Sequence, residues 1–174
     1  MGESGLPAPD GVVDFDGFVR GNTSTLLATA RLLTGNRVDA EELVQETLVH
    51  LFPKWRLVEA AASPLGYVRR SLVNRFVSRG RASWRRETPV AELIDGVGAP
   101  DPADAVGDRS VVRDLLAELA PRPRAVLVLR YFHDLTEPQI AAELGCRAGT
   151  VRSDVSRSLA ALRARLPRTE ERPV

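Results

Sequence analysis

The stretch TEPQIAAELG at residues 136–145, followed by CRAGTVRSDVSRSLAALRARL at residues 146–166, decides the fold that we expect for this chain. Thr136 is a suitable helix N-cap, and Pro138 is tolerated in a first helical turn. Gly145 permits a tight turn between the two segments. The pattern predicts a short helix, a turn and a longer helix, which is the helix-turn-helix arrangement that places its second helix in the major groove of DNA.

The longer helix is predicted to carry hydrogen-bond donors on its outward face. Its apolar residues, including Val151 and Val155, fall on one inward stripe. The outward residues, which we expect to contact DNA, are Arg147, Thr150, Arg152, Ser153, Ser156 and Arg157. Such donors suit phosphate oxygens and base edges. The plainer alternative is a helical hairpin with a charged, solvated face.

Charge is strongly segregated along the chain, although the totals nearly cancel. The sequence has 24 lysines and arginines against 23 acids, for a net charge of +1. Residues 69–86 hold seven arginines and no acid, residues 87–108 hold six acids and no base, and residues 147–168 hold six arginines and one acid. Two basic blocks favour two surfaces for a polyanion, with solvated helix faces as the alternative for either block alone.

Helical periodicity and Pro/Gly-rich stretches predict an all-α chain of two small domains joined by an acidic flexible linker. The predicted segments are a disordered tail at 1–12, a first domain at 13–87, a linker at 88–107, a second domain at 108–167 and a tail at 168–174. In the first domain we expect helices over 14–33, 38–52 and 64–80, with a loop at 55–62. In the second we expect helices over 108–119 and 124–133 before the helix-turn-helix.

Several function classes find no support in the sequence. The single cysteine, Cys146, cannot form an internal disulfide, and no apolar run approaches the ~20 residues of a membrane span. His50 and His133 stand alone, and no phosphate loop or metal-ligand spacing is present. We therefore expect a cytoplasmic protein that is not an enzyme and needs no cofactor or metal.

Aromatic residues flank the first arginine block, as surfaces for unpaired bases often require. They are Trp55, Tyr67, Phe76 and Trp84. From the residues alone, three other classes remain open: a stand-alone repressor or activator, a nucleic-acid-processing enzyme and a protein-interaction module. The first would bind symmetric duplex sites tightly by itself, the second lacks a catalytic cluster, and the third does not explain an arginine-bearing second helix.

Two groups of residues resemble a known family. LLTGNR at 32–37 followed by DAEELVQET at 39–47 closely resembles conserved region 2 of the sigma-70 family, and YVRR at 67–70 with Asn74 and Arg75 looks like the promoter −10 segment of that region. Residues 127–165, with GTVRS at 149–153, are similar to region 4. The likeness spans residues 15–166, and the DAEELVQE string is highly specific.

The resemblance implies the two-region organisation of the extracytoplasmic-function (ECF) group, and the sequence is similar to that of its actinobacterial SigE-like subfamily. It implies a dissociable subunit of bacterial RNA polymerase that docks on the clamp of one large subunit and the flap of the other. It also implies promoter DNA as a partner, a monomer outside the holoenzyme, no membrane association and a place in the cytoplasm with the nucleoid. An anti-sigma factor is a further partner that the resemblance allows.

The resemblance also assigns roles to individual residues. The core-polymerase face would be Asp39, Glu42, Gln45 and Glu46. The residues that read a melted −10 element would be Arg56, Arg70, Asn74, Arg75 and Arg79. The recognition helix of the helix-turn-helix would read the −35 duplex. We expect the acidic linker to lie in a basic channel of polymerase, where it would mimic nucleic acid.

Asp154 departs from the pattern of many relatives, which have a basic or neutral residue there. Ala148 and Pro138 also differ from the residues that are commonest at these positions in the family. An acid near phosphates repels them unless it meets a cytosine amine or pairs with Arg152 or Arg157. These departures bear on the −35 sequence that is read rather than on the role of the helix.

Overall fold

The structure, a computed structural model, describes residues 14–86 and 108–165, with side chains described at 14–81 and 111–165. These residues are helical with no strand, which confirms the all-α prediction. The helices are α1 (Phe15–Thr34), α2 (Arg37–Leu51), α3 (Trp55–Glu59), α4 (Pro64–Arg86), α5 (Asp108–Ala117), α6 (Pro121–Leu127), α7 (Glu137–Leu144) and α8 (Ala148–Arg163). A five-residue π-helix, Val128–Phe132, continues α6. The predicted tails and acidic linker lie outside the described residues.

Side-chain and glycine caps fix the first two helices close to their predicted ends. The Asp14 carboxylate accepts a hydrogen bond from the Gly17 amide at 2.8 Å, which satisfies a free N–H of the first turn of α1. Gly35 ends α1 with a φ of 87°, a left-handed conformation that glycine adopts without strain. The Asn36 side chain then accepts from the Asp39 amide at 2.9 Å and caps α2.

The loop predicted at 55–62 is wrong over its first half, which is helical. A 3-10 turn, Phe52–Lys54, leads directly into α3. Trp55 is buried, and its ring centroid lies 5.1 Å from that of Phe15 and 5.0 Å from that of Phe18. These edge-to-face contacts with α1 stabilise a helix too short to persist alone.

Two further helix boundaries differ from the prediction. Helix α4 continues six residues past Gly80, to Arg86, where we expected it to end. Helix α6 starts at Pro121 rather than after Pro123, because proline lacks an N–H that the first turn would leave unbonded in any case. Proline here begins a helix instead of breaking one.

The two predicted domains pack against each other. Their buried apolar residues form one continuous cluster, in which α4 lies between α1 and α2 on one side and α6 and α7 on the other. The Arg124 guanidinium of α6 donates to the Leu33 carbonyl at 2.6 Å and to the Leu119 carbonyl at 2.9 Å, and it lies over the Phe76 ring. Burial lowers the pKa of Arg124 from its usual value. A cation held this way ties α6 to the end of α1 and to the face of α4.

Thr29 of α1 and His133 form a second polar link between the halves. The Thr29 hydroxyl donates to the Thr25 carbonyl at 2.9 Å, so it accepts from the His133 Nε2–H at 3.0 Å. Burial, assisted by the positive charge of Arg69, lowers the pKa of His133 to about 4. The imidazole is therefore neutral near pH 7.

The two halves approach each other closely at Gly80, and this position gives a direct test of the packing. An alanine Cβ at Gly80 would lie 2.2 Å from Cγ of Pro121, whose ring cannot move aside. We therefore expect Gly80→Ala to separate α4 from α6 and to enlarge the protein in small-angle scattering. Gly21→Ala is the matched control, since nothing lies within 4 Å of its Cβ. The control should gain about 1 kcal/mol of stability from helix propensity. If Gly80→Ala left the scattering profile unchanged and gained as much stability as Gly21→Ala, the packing of the two halves would be contradicted.

Acid should weaken the link that His133 makes. Its pKa is about 4 in the folded protein and 6.5 ordinarily, so the unfolded chain binds more protons in that window. Its contribution to stability should be complete above pH 6.5 and decline as the pH falls towards 4. Because the side chain is partly exposed, we expect a loss of about 1 kcal/mol between pH 7 and pH 5, measured by urea unfolding. His133→Gln should show a smaller loss, and an identical pH dependence would refute this assignment.

Candidate nucleic-acid interface

The helix-turn-helix is built locally, as its sequence predicts. Thr136 is the N-cap of α7, and its amide donates to the Gln139 side chain at 2.8 Å, which is one arm of a capping box. Gly145 ends α7 with a φ of 62°, and the Cys146 amide bonds back to the Ala141 carbonyl at 2.9 Å. The turn directs α8 across α7, with Val151 fully buried between them.

Four of the six residues predicted to contact DNA from α8 lie together. An open groove of about 490 Å³ is lined by Arg152, Ser153, Ser156 and Arg157. Arg147 is exposed at the N-cap of α8, and Thr150 is half-buried one turn along. The groove offers two guanidinium groups and two hydroxyls, which are donors for phosphates and base edges.

Each of the two groove arginines is held by an acid. Arg152 Nε donates to Glu137 Oε2 at 3.1 Å, and Arg152 Nη2 lies 3.0 Å from the same oxygen. The hydrogen bond and the negative charge of Glu137 raise the pKa of Arg152. Arg157 donates from Nη2 to Asp154 Oδ1 at 2.8 Å. Asp154 itself is buried, with 6% of its surface exposed, and also accepts from Arg122 Nε at 3.2 Å. Asp154 thus pairs with Arg157. This is one of the two ways in which an acid at this position could avoid repelling phosphates, the other being contact with a cytosine amine.

A second basic groove runs between α2 and α4. It has a volume of about 570 Å³. Its lining residues are His50, Leu51, Lys54, Tyr67, Arg70, Ser71, Asn74, Arg75, Ser78 and Arg79. Four of the five residues predicted to read the −10 element are in this set. Arg56 is exposed on α3 and is not part of the groove lining.

His50 and Lys54 also line this groove, although neither was predicted as a site residue. Lys54 Nζ lies 2.8 Å from His50 Nε2, and the ammonium charge lowers the pKa of His50. The imidazole therefore stays neutral and accepts from the lysine. Their spacing of four residues across the end of α2 is the signal that could have paired them.

The predicted core-polymerase face and the predicted −10 residues meet through ion pairs. Asp39, Glu42 and Gln45 are exposed on α2, and Glu46 is half-buried beside them. Arg75 Nη1 lies 3.6 Å from Glu46 Oε2, and Arg79 contacts both Glu46 and Glu42, the latter at 3.9 Å. The two predicted surfaces therefore share an edge along α2 and α4.

Helix α7 packs on α4 and contacts Asn74, one of the residues that line the second groove. The Asn74 side-chain amide donates to the Glu143 main-chain carbonyl at 3.0 Å, and Arg69 forms an ion pair with the Glu143 carboxylate. The side chains of that ion pair are only 16% and 14% exposed. The helix-turn-helix thus holds the amide of a predicted −10 residue. Neither Glu143 nor its partner Arg69 was predicted as a site residue.

Other site types find no basis in the described residues. Over 14–86 and 108–165, no group of three His, Cys, Asp or Glu side chains is placed to hold a metal ion. Among these same residues, no helix combines the length and apolarity that crossing a membrane requires.

Comparison with known proteins identifies the family. Residues 18–86 match the model of sigma-70 region 2, and residues 109–162 match that of sigma-70 region 4. The RNA polymerase sigma-E factor of Streptomyces avermitilis is 36% identical over 155 residues, which cover 89% of this chain and 86% of that protein. The ECF RNA polymerase sigma factor SigL of Mycobacterium tuberculosis is 31% identical over 149 residues, which cover 83% and 84%.

A solved structure supports the same conclusion. It is the sigma factor RpoE of Bartonella quintana, in complex with the anti-sigma factor NepR. That chain is 26% identical, superposes with a TM-score of 0.62, and matches over 88% of this chain and 96% of its own length. The chain described here belongs to the sigma-70 family of RNA polymerase sigma factors, in its extracytoplasmic-function group.

Proposed function

We propose that this sigma factor reads duplex −35 DNA with the groove of α8 and an unpaired −10 strand with the groove between α2 and α4. The observation that carries the proposal is that two separate arginine-lined grooves lie on the two sigma regions. Bound to core polymerase, the protein would select promoters and promote DNA opening. The chemistry of RNA synthesis would remain with polymerase, in the cytoplasm.

The groove of α8 suits duplex DNA. Arg152 and Arg157 extend from one exposed helix face with their side chains 77% and 74% exposed. The positive charge attracts phosphates, and the guanidinium forks match guanine O6 and N7 in the major groove. Ser153 and Ser156 between them add short donors for phosphates or bases.

The groove between α2 and α4 suits a strand whose bases have left the duplex. Arg70 and Arg75 supply charge for the backbone, and the partly exposed Tyr67 supplies a ring on which a base can stack. The Asn74 amide both donates and accepts, as recognition of a Watson–Crick edge requires. These contacts would offset the few kcal/mol, in order of magnitude, that unpairing each base costs.

The exposed acidic face of α2 suits the clamp of the large polymerase subunit. Asp39, Glu42, Gln45 and Glu46 present carboxylates and an amide on one helix face. Since Glu42 and Glu46 also pair with Arg79, docking would exchange those ion pairs for contacts with polymerase and release the arginine towards DNA. Polymerase binding and −10 reading would be coupled through Arg79.

The packing of α7 on α4 bears on how the free protein behaves. As long as Glu143 accepts from Asn74, one N–H of the Asn74 side chain is engaged and the side chain is held against α7 rather than free to turn to a base. We therefore expect weak binding of promoter DNA by the free factor and strong binding once polymerase separates the two sigma regions. A stand-alone repressor would behave in the opposite way. An anti-sigma factor that favours the packed arrangement is a further partner to expect.

Transcription with purified components tests the function. The factor and core polymerase, supplied with genomic fragments, should yield transcripts from a defined set of asymmetric promoters, and scrambling either the −35 or the −10 block should abolish them. The same fragments should bind the free factor weakly. Tight binding of symmetric sites by the free protein, without promoter-specific transcripts, would defeat the proposal.

Asn74→Ala should separate duplex binding from opening. We expect unchanged −35 binding in the holoenzyme but a loss of about 1–3 kcal/mol in opening, the value of one good base contact, seen as lower permanganate reactivity of −10 thymines. The substitution also removes the bond to Glu143, which by itself would favour opening, so a decrease isolates the base contact. Asn22→Ala is the matched control, because Asn22 also donates to a main-chain carbonyl but lies on α1. Equal reactivity in both variants would exclude the role.

A further inference from the structure

We propose that Asp154 is a positioning residue for −35 recognition, which acts by orienting the guanidinium of Arg157. The inference rests on the proposed contact of Arg157 with −35 DNA and goes beyond it. It assigns a use to the one acid in the basic block at residues 147–168.

Asp154 lies on the inner side of α8, and its buried carboxylate contacts Arg157, whose side chain is exposed. It follows Val151 by one helical turn and precedes Ser158 by another, and all three residues are buried. The Ser158 hydroxyl donates to the Asp154 carbonyl at 2.6 Å. The carboxylate therefore lies at the interface between α8 and α6 and does not face the phosphates of a bound duplex.

The two oxygens of Asp154 have different partners. Oδ2 accepts from Arg122 of α6 at 3.2 Å, and Oδ1 accepts from Arg157 at 2.8 Å. A buried carboxylate with a bond to each oxygen is fixed in orientation, because an uncompensated charge at this depth would be costly. Arg122 holds the carboxylate, and the carboxylate holds Arg157.

The contacts of Arg157 leave a defined edge of its guanidinium towards the groove. Nε donates to the Ser153 carbonyl at 3.3 Å, and Nη2 donates to Asp154. Nε and one N–H of Nη2 share the side edge of the guanidinium. The end edge, formed by Nη1 and Nη2, points away from these partners on a side chain that is 74% exposed. That edge is a two-donor fork, which pairs with O6 and N7 of guanine or with two phosphate oxygens.

Charge and geometry together give Asp154 its effect. An unpaired arginine at this position would attract any phosphate. When Arg157 is paired with Asp154, the two opposite charges offset each other and the guanidinium has one preferred orientation. Asp154 would thus reduce binding to DNA of any sequence and increase discrimination for the correct base. If Asp154 only stabilised the fold, its replacement would weaken binding of the correct −35 sequence and binding of other DNA sequences to the same extent.

The test measures discrimination by the holoenzyme. The probe is an upstream fragment of the strongest promoter found by transcription, ending before the −10 block, and the same fragment with its −35 block scrambled. Asp154→Asn should lower the ratio of the two affinities about tenfold, within the range of one base contact. Affinity for the scrambled fragment should be unchanged or higher, with a steeper salt dependence.

Matched variants identify the cause. Glu118→Gln removes one acidic charge from an exposed ion pair with Arg165 and should leave the ratio unchanged. Arg122→Met removes the group that holds the Asp154 carboxylate, so it should lower the melting temperature and reduce the ratio, though by less than Asp154→Asn does, since the bond between Asp154 and Arg157 remains. In an Arg157→Ala background, Asp154→Asn should not lower the ratio of the two affinities any further.

Each remaining outcome has a definite meaning. If Arg157→Ala leaves the ratio unchanged, the proposed −35 contact itself is wrong. If Arg157→Ala lowers the ratio but Asp154→Asn does not, or if Asp154→Asn weakens both fragments alike, the positioning role is overturned. Should Asp154→Asn fail to fold, Arg157→Lys keeps the charge without the fork and should lose the same discrimination, and a preserved ratio would overturn the proposal.

Discussion

Glu143 of the helix-turn-helix forms the contact on which the behaviour of this sigma factor depends. Its carboxylate pairs with Arg69 and its main-chain carbonyl accepts from Asn74, so one residue of region 4 engages two residues of the region 2 basic helix. Nearly buried ion pairs of this kind contribute little net stability but penalise any arrangement that leaves one partner alone. In the proposed function, this contact restrains the Asn74 side chain in the free protein, and polymerase binding would have to compensate both Asn74 and Arg69 for its loss.

The two grooves present arginine in different ways. In the α8 groove each arginine has an acid of its own unit as a partner, Glu137 or Asp154, and this favours fixed donors over diffuse charge. In the groove between α2 and α4, Arg79 is shared with acids of the proposed polymerase face. The first arrangement suits a rigid duplex whose base edges are read in place, and the second suits a strand that is captured only after polymerase has bound.

Local sequence signals predicted the elements, and long-range contacts determined the rest. Capping residues such as Asp14 and the left-handed Gly35 gave helix ends to within a residue or two, because caps act within one turn. The sequence predicts a loop at Trp55, and this is wrong because the helix there is stabilised by rings from α1, about 40 residues earlier. The burial of Asp154 could have been recognised from its spacing to Val151 and Ser158, whereas its pairing with Arg122 could not, since it joins two helices. The contact of Glu143 with Asn74 spans 69 residues and has no local signal.

Distance measurement by pulsed electron resonance tests the central claim most directly, namely that region 4 stays packed on region 2 through Glu143 until polymerase separates the two regions. Spin labels at Arg81→Cys and Ala142→Cys, in a Cys146→Ser background, place one label on α4 outside the groove lining and one on α7, both at exposed positions. We predict one short distance in the free protein and, in the promoter complex, a distance longer by tens of ångströms, towards the ~70 Å of two turns of B-DNA. The same short distance in the free protein and in an active promoter complex would contradict the account.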